Sequence, residues 1–214
     1  MATLQSGSST SSSDFSNSKI ICNKEDVILL KNEIGENGNN NNSYRIIFNA
    51  HNSKFPIHSI VGLKLYTLLY ELNRDIIHTF KIINETESTV ETITLFKPFG
   101  RDFGIAPKAM HTVSTMHLNP GVCTFDSVDV KQDYANNEIN HVPKKYERIR
   151  STQSKLSVYF LSTNNLQFDF TFELSDNDND DEIDERAPIY MENSVALMIK
   201  KMFSRLKTFI ERMS

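Results

Sequence analysis

The fold expectation turns on residues 191–213, MENSVALMIKKMFSRLKTFIERM. Apolar residues fall at Met191, Val195, Met198, Ile199, Met202, Leu206, Phe209, Ile210 and Met213. Steps of four, three and one repeat without a miss, which is one face of an α-helix. Lys200, Lys201, Arg205, Lys207 and Arg212 fall on the opposite face. A helix of this kind buries its stripe on its own domain, on another subunit or on a bilayer.

Working upstream, Leu166, Phe168, Phe170, Phe172 and Leu174 alternate with Gln167, Asp169, Thr171 and Glu173. That pattern predicts a strand with one core face and one wet face. Residues 156–161 and the polar tip 162–165 complete a hairpin with it. Residues 77–83 and 90–96 read as a second hairpin. Tyr44, Ile46, Phe48 and Ala50 open the folded region as a strand, and Pro56 lies beyond its end. Ser59 is the predicted N-cap of another helix, whose stripe runs Val61, Leu65, Leu68, Leu69, Leu72 and Ile76. Residues 97–104 read as a loop with aromatic anchors. Residues 112–118 and 122–130 read as strands around a tight turn at Asn119-Pro120-Gly121. The expected fold is α+β: a small antiparallel β-sheet with two amphipathic helices packed on one face, behind a disordered N-terminal arm. Residues 1–43 form that arm, disordered or loosely docked, and residues 44–214 form a single domain.

Composition supports one domain. The chain has 214 residues, a net charge of -4 and 39% hydrophobic residues. The apolar deficit is local to the first 43 residues and to 175–186, so the remainder has core enough to fold. The serine-rich first 19 residues cannot offset their ordering entropy by burial. Val27-Ile28-Leu29-Leu30 is an apolar island that either docks as an edge strand or serves as a partner-binding segment. Cys22 and Cys123 do not make a disulfide framework and read as free thiols. No run is long and apolar enough to span a membrane. The first 13 residues lack the basic and apolar regions of a secretory signal.

Signatures of catalysis are weak. The acidic run 176–185 opens like a calcium loop, but Asp181 stands where the sharp turn needs glycine and Ala187 where the bidentate glutamate belongs. Asp102-Phe103-Gly104 spells the kinase metal-binding tripeptide without any other kinase signature. His111 and His117 fit no zinc spacing. No nucleophile elbow and no glycine-rich phosphate cradle occur. The reading is non-enzymatic, with no metal site and no cofactor, although a carboxylate pair assembled by folding leaves no trace at this level. Two basic elements stand out. Lys144, Lys145, Arg148, Arg150 and Lys155 face only Glu147 within 141–155, and the C-terminal helix adds Lys200, Lys201 and Arg205. Clusters of this kind attract anionic lipid or nucleic acid.

The order of elements resembles a rhabdovirus matrix protein. The resemblance rests on the unit Tyr44-Arg45-Ile46-Ile47-Phe48, then Asn52-Ser53-Lys54-Phe55-Pro56, then a helix over 59–72. It continues in the closing series of hairpin (155–174), acidic turn (175–186) and C-terminal helix (191–213). It covers about 170 residues in pattern and shares no diagnostic motif. The chain departs from the family in lacking Pro-Pro-x-Tyr and Pro-Thr-Ala-Pro budding motifs, and its arm is serine-rich where animal-virus members are lysine-rich. The resemblance implies a viral structural protein in the virion and host cytoplasm, peripheral to membrane, with the nucleus also open. Such a protein self-associates and bridges the nucleocapsid to an anionic membrane. Lys144, Lys145, Arg148, Arg150, Lys155, Lys200, Lys201 and Arg205 are its expected membrane or nucleocapsid contacts. Phe99 and Phe103 are its expected self-association contacts. The alternative is a viral accessory protein that binds RNA or a host factor, such as a silencing suppressor.

Overall fold

The alternating strand at the end of the sheet region pairs with the strand that opens the domain. Asn165–Leu174 (β10) lies antiparallel to Asn42–His51 (β3), with Phe168 opposite Phe48 and Phe172 opposite Tyr44. The Phe48 and Phe168 rings stack at 4.6 Å, and Tyr44 stacks on Phe172 at 5.4 Å. On the opposite face Arg45 holds Asp169 in a two-pronged ion pair, with Nε donating to Oδ1 at 2.7 Å. The pairing is pinned by aromatic stacking inside and by charge outside.

These features belong to a computed structural model that describes residues 18–32, 42–98, 107–130, 142–143, 145–149, 153–174 and 189–213. The remaining strands are Ser18–Lys24 (β1), Val27–Asn32 (β2), Ile77–Glu85 (β4), Thr89–Phe96 (β5), Lys108–Asn119 (β6), Val122–Asp129 (β7), Glu147–Arg148 (β8) and Ser154–Ser162 (β9). The helices are Lys64–Leu72 (α1) and Ile189–Arg212 (α2), with a short 3-10 turn at Ile57–Ile60. Nine strands form one antiparallel path in the order β1-β2-β3-β10-β9-β7-β6-β5-β4, and β8 adds a parallel pairing to β6.

The expected fold class is therefore corrected. The sheet is large and dominates the described residues, and α2 is the main helix that it grips. The physical reason for the difference lies in β5 and β6. Val90, Thr92 and Phe96 are buried on one face of β5, and Ile93 and Leu95 on the other. Ile93, Leu95, Ala109 and Val142 form a separate outer cluster, with Ile83 and Tyr146 packed against it. A strand covered on both faces loses the period-two signal that marks it in a sequence. The segment 18–32, inside the expected arm, supplies β1 and β2, and β2 pairs with β3. Val27 and Leu29 are fully buried.

The second helix also differs from its expectation. Ser59 donates to the Pro56 carbonyl and caps nothing, and α1 starts only after Gly62. It stops at Asn73, whose side chain donates to the Leu69 carbonyl and whose own carbonyl accepts from Ile76 and Ile77. Ile76 thus lies outside the helix.

α2 packs with Val195, Ala196, Phe203, Leu206 and Ile210 buried. Each large apolar side chain so buried contributes about 1.5–3 kcal/mol. Phe203 lies 5.0 Å from Phe170 and 6.0 Å from Phe48. The C-terminal end of α2 is tied down by Asn52, whose amide donates to the Ile210 and Met213 carbonyls at 2.7 and 2.8 Å. Among the described residues no helix is long and apolar enough to cross a membrane.

Candidate functional site

The inner face of the sheet is not uniformly packed. Its β2, β3 and β10 portion carries Leu29, Tyr44, Ile46, Phe48, Phe168 and Phe172, which fill the space under α2. Its β5, β6, β7 and β9 portion carries Thr92, Thr94, Thr112, Ser114, Ser127 and Ser154 at inward positions. Small side chains at facing positions leave a gap, because close packing needs large residues opposite small ones. The gap is a cavity of about 140 Å³.

Each layer contributes a wall. Tyr66, Leu69 and Tyr70 of α1 close one side. Ile199, Met202 and Phe203 of α2 close another. Ile77 and Phe80 of the edge strand β4 form the far wall, with Tyr70 stacked on Phe80 at 5.3 Å. Phe96, Met110, Leu156 and Phe170 complete the apolar lining on the sheet. No Lys, Arg, His, Asp or Glu is among the described residues that line it.

The polar groups of the cavity bond to one another and to Ser114 behind the lining. Ser114 and Ser127, cross-strand partners on β6 and β7, bring their hydroxyls to 2.7 Å. The Tyr66 hydroxyl reaches Ser127 Oγ at 3.3 Å. Thr92 and Thr112, partners on β5 and β6, meet at 3.2 Å. Burial pushes the Tyr66 phenol above its ordinary value, and the Ser114 and Ser127 hydroxyls oppose that shift. Burial also raises the Cys123 thiol.

Of the expected cationic residues, those described line no part of this cavity. Lys155 Nζ is 3.5 Å from Asp126, and Arg148 donates to the Val130 carbonyl at 3.0 Å. Lys145 sits over the Tyr146 ring at 5.5 Å. Lys200 is buried, and its Nζ donates to the Lys24 carbonyl at 2.9 Å. Lys201 and Arg205 share Asp75, whose carboxyl is held at about 2 by hydrogen bonding to Arg205. These two line an open surface groove of about 790 Å³ with Arg212 and Glu25. Lys144, Arg150, Phe99, Phe103 and the acidic run 176–185 lie outside the described residues. Among the described residues no three His, Cys, Asp or Glu side chains converge as metal ligands.

The sequence reading missed the cavity residues altogether. Thr92, Thr112 and Ser127 fall in segments read only as strands, with no facing assigned, and nothing in their spacing marks them as interior. Only the clustering of small hydroxylated residues on three consecutive strands was available as a signal.

Comparison with known proteins places this geometry. No protein-family model matches the chain, and no curated protein matches it in sequence. Solved structures do match in fold. The lipid transfer and protein localization domain of human StarD13 superposes with a TM-score of 0.67 at 12% identity, covering 92% of this chain and 90% of that one. Human StAR-related lipid transfer protein 5 matches with a TM-score of 0.67 at 12% identity, over 92% of this chain and 88% of that one. A STAR-related lipid transfer protein from Xanthomonas axonopodis matches at 0.62 and 10% identity, over 91% of this chain and 98% of that one. The matrix-protein resemblance is thereby corrected: it rested on element order, and the assembled topology is a different one. The expected roles in virion assembly, nucleocapsid bridging, self-association and anionic-membrane or RNA binding lose their basis with it. The fold of the chain is that of the StAR-related lipid transfer domains, a long antiparallel sheet gripping a C-terminal helix.

Proposed function

We propose that the chain is a binding module for a lipid or another apolar small molecule, held between the sheet and α2. The observation that carries this reading is the interior cavity, lined by aromatic, aliphatic and hydroxyl side chains in a fold shared with lipid-transfer domains. Ligand sites of this chemistry are largely apolar with a few placed polar groups. Among the described residues the lining brings no carboxylate, imidazole or thiol together, which favours binding over catalysis.

Volume sets a requirement on the mechanism. A cavity of about 150 Å³ admits a benzene-sized group, whereas sites for larger ligands span roughly 300–1,000 Å³. At about 140 Å³ the enclosure holds only one such fragment. A whole lipid therefore enters by displacing lining side chains and the short helix α1. Met110 and Met202 are the adaptable part of the lining, since unbranched thioethers repack at low cost. α1 buries only Leu65 completely, and its displacement would also release the Tyr66–Ser127 contact.

The test is saturable binding of a neutral apolar dye, N-phenyl-1-naphthylamine, to the purified protein, with native mass spectrometry for stoichiometry. One-to-one binding, with displacement by long-chain lipids, is the expected result. Absence of saturable binding to the dye and to every lipid tried overturns the reading.

A further inference from the structure

We infer that the cavity selects a neutral ligand, an apolar body bearing one hydroxyl or carbonyl group seated on the Tyr66–Ser127 hydroxyl pair, which Ser114 backs from behind the wall, and rejects charged amphiphiles. The inference rests on the reading of the cavity as a ligand site and names the chemistry that the site takes.

Tyr66 and Ser127, both in the lining, bring their hydroxyls to 3.3 Å, and Ser114, behind the lining, lies 2.7 Å from Ser127 and also acts on the Tyr66 phenol. Each hydroxyl carries one proton and two lone pairs. The contacts among them leave lone pairs on Tyr66 Oη and Ser127 Oγ for a guest. Hydroxyl protons rotate, so the same pair donates to a carbonyl or accepts from an alcohol. Ser154, opposite Ser127 on β9, and the Thr92–Thr112 pair extend the polar strip across the sheet without adding charge.

Charge is what the cavity cannot compensate. An anion or ammonium brought into an apolar enclosure needs an opposite charge or several fixed donors. The lining offers neither: its described side chains are apolar, hydroxyl or phenol. The cations of α2 are engaged away from it, Lys200 with the Lys24 carbonyl and Arg205 with Asp75.

A matched series tests this: decane, decanol, decanoate and decylammonium, each displacing N-phenyl-1-naphthylamine from the full chain at neutral pH. Decanol is expected to bind at least about tenfold more tightly than decanoate or decylammonium, because neither charged head finds a partner. The double variant Ser114→Ala, Ser127→Ala is expected to bring decanol to within about twofold of decane while dye binding persists. Should that variant not fold, Tyr66→Phe makes the same comparison, with the preference reduced and the ring retained. Dye binding with decanoate or decylammonium equal to or tighter than decanol overturns the selectivity and leaves the ligand site standing. An unchanged alcohol preference in both variants removes these hydroxyls as its source. Failure of the dye and the whole series to bind removes the site itself.

Discussion

The Tyr66 hydroxyl on α1 lies 3.3 Å from Ser127 Oγ on β7, so a helix and a central strand meet through hydroxyls at the wall of an uncharged cavity. This contact joins α1 to the floor of the cavity. It also places a titratable phenol where water is scarce.

Alkaline pH should therefore weaken the fold. Burial raises the Tyr66 pKa above its ordinary value of 10.0. Above that value the unfolded chain loses the phenol proton while the folded chain keeps it, so stability is full below pH 10 and falls as pH rises further. Denaturant melts at stepwise pH should show a steeper alkaline loss for the native chain than for Tyr66→Phe. Parallel curves would remove Tyr66 from the account.

The tie between α1 and α2 behaves oppositely at acid pH. Arg205 donates to Asp75 Oδ2 at 2.7 Å and to Asn73 Oδ1 at 3.2 Å, and holds the Asp75 carboxyl at about 2, below its ordinary 3.8. The contribution is present above pH 3.8 and is lost as pH falls through about 2. Asp75 is 54% exposed, so solvent screening limits the loss in Asp75→Asn to about 1 kcal/mol or less. The more sensitive readout is kinetic: ligand release should be faster in Asp75→Asn, as measured by stopped-flow dye displacement.

Asn52 should be among the costliest single polar positions. Besides its two donations to α2, its Oδ1 accepts from the Lys54 and Phe55 amides at 2.9 Å each. Asn52→Ala strips partners from two carbonyls and two amides together, in bonds that are buried or partly buried. A loss of about 2–3 kcal/mol is expected in equilibrium unfolding. Asn52→Asp should also destabilise, because a carboxylate cannot donate to the Ile210 and Met213 carbonyls.

The β1–β2 turn offers a gain instead. Glu25 and Asp26 both adopt positive φ, 61° and 55°, a conformation that a two-residue hairpin turn demands and that asparagine and glycine tolerate best. The double change Glu25→Asn, Asp26→Gly should stabilise the chain by about 1 kcal/mol, seen as a higher melting temperature. An unchanged or lower value would show that contacts of Glu25 or Asp26 outweigh the backbone strain.

Local pattern and long-range assembly differed in how far the sequence revealed them. The alternation through Phe168 and Phe172 and the stripe through Leu206 and Ile210 were legible, because each reports a face that is wet on one side and buried on the other. The pairing of Phe48 with Phe168 joins residues far apart in the chain, and no local signal encodes it. Lys200 read as part of a solvated face, yet it is buried, because the β1–β2 turn presents the Lys24 carbonyl to it. Phe209 read as part of the buried stripe and is 38% exposed, because the packed face of α2 is rotated toward Ala196 and Phe203. The cavity left no trace, since an inward serine and an outward serine look alike until the strands on both sides are in place.

The most direct test of the account is photolabelling with a long-chain alcohol that carries a diazirine in its alkyl chain, followed by peptide mass spectrometry. Labels on Met110, Met202 and Phe203, competed by unlabelled decanol, are the expected result. Labels confined to exposed apolar residues such as Leu118, Val128 and Leu161, with none on the cavity lining, would contradict an interior ligand site.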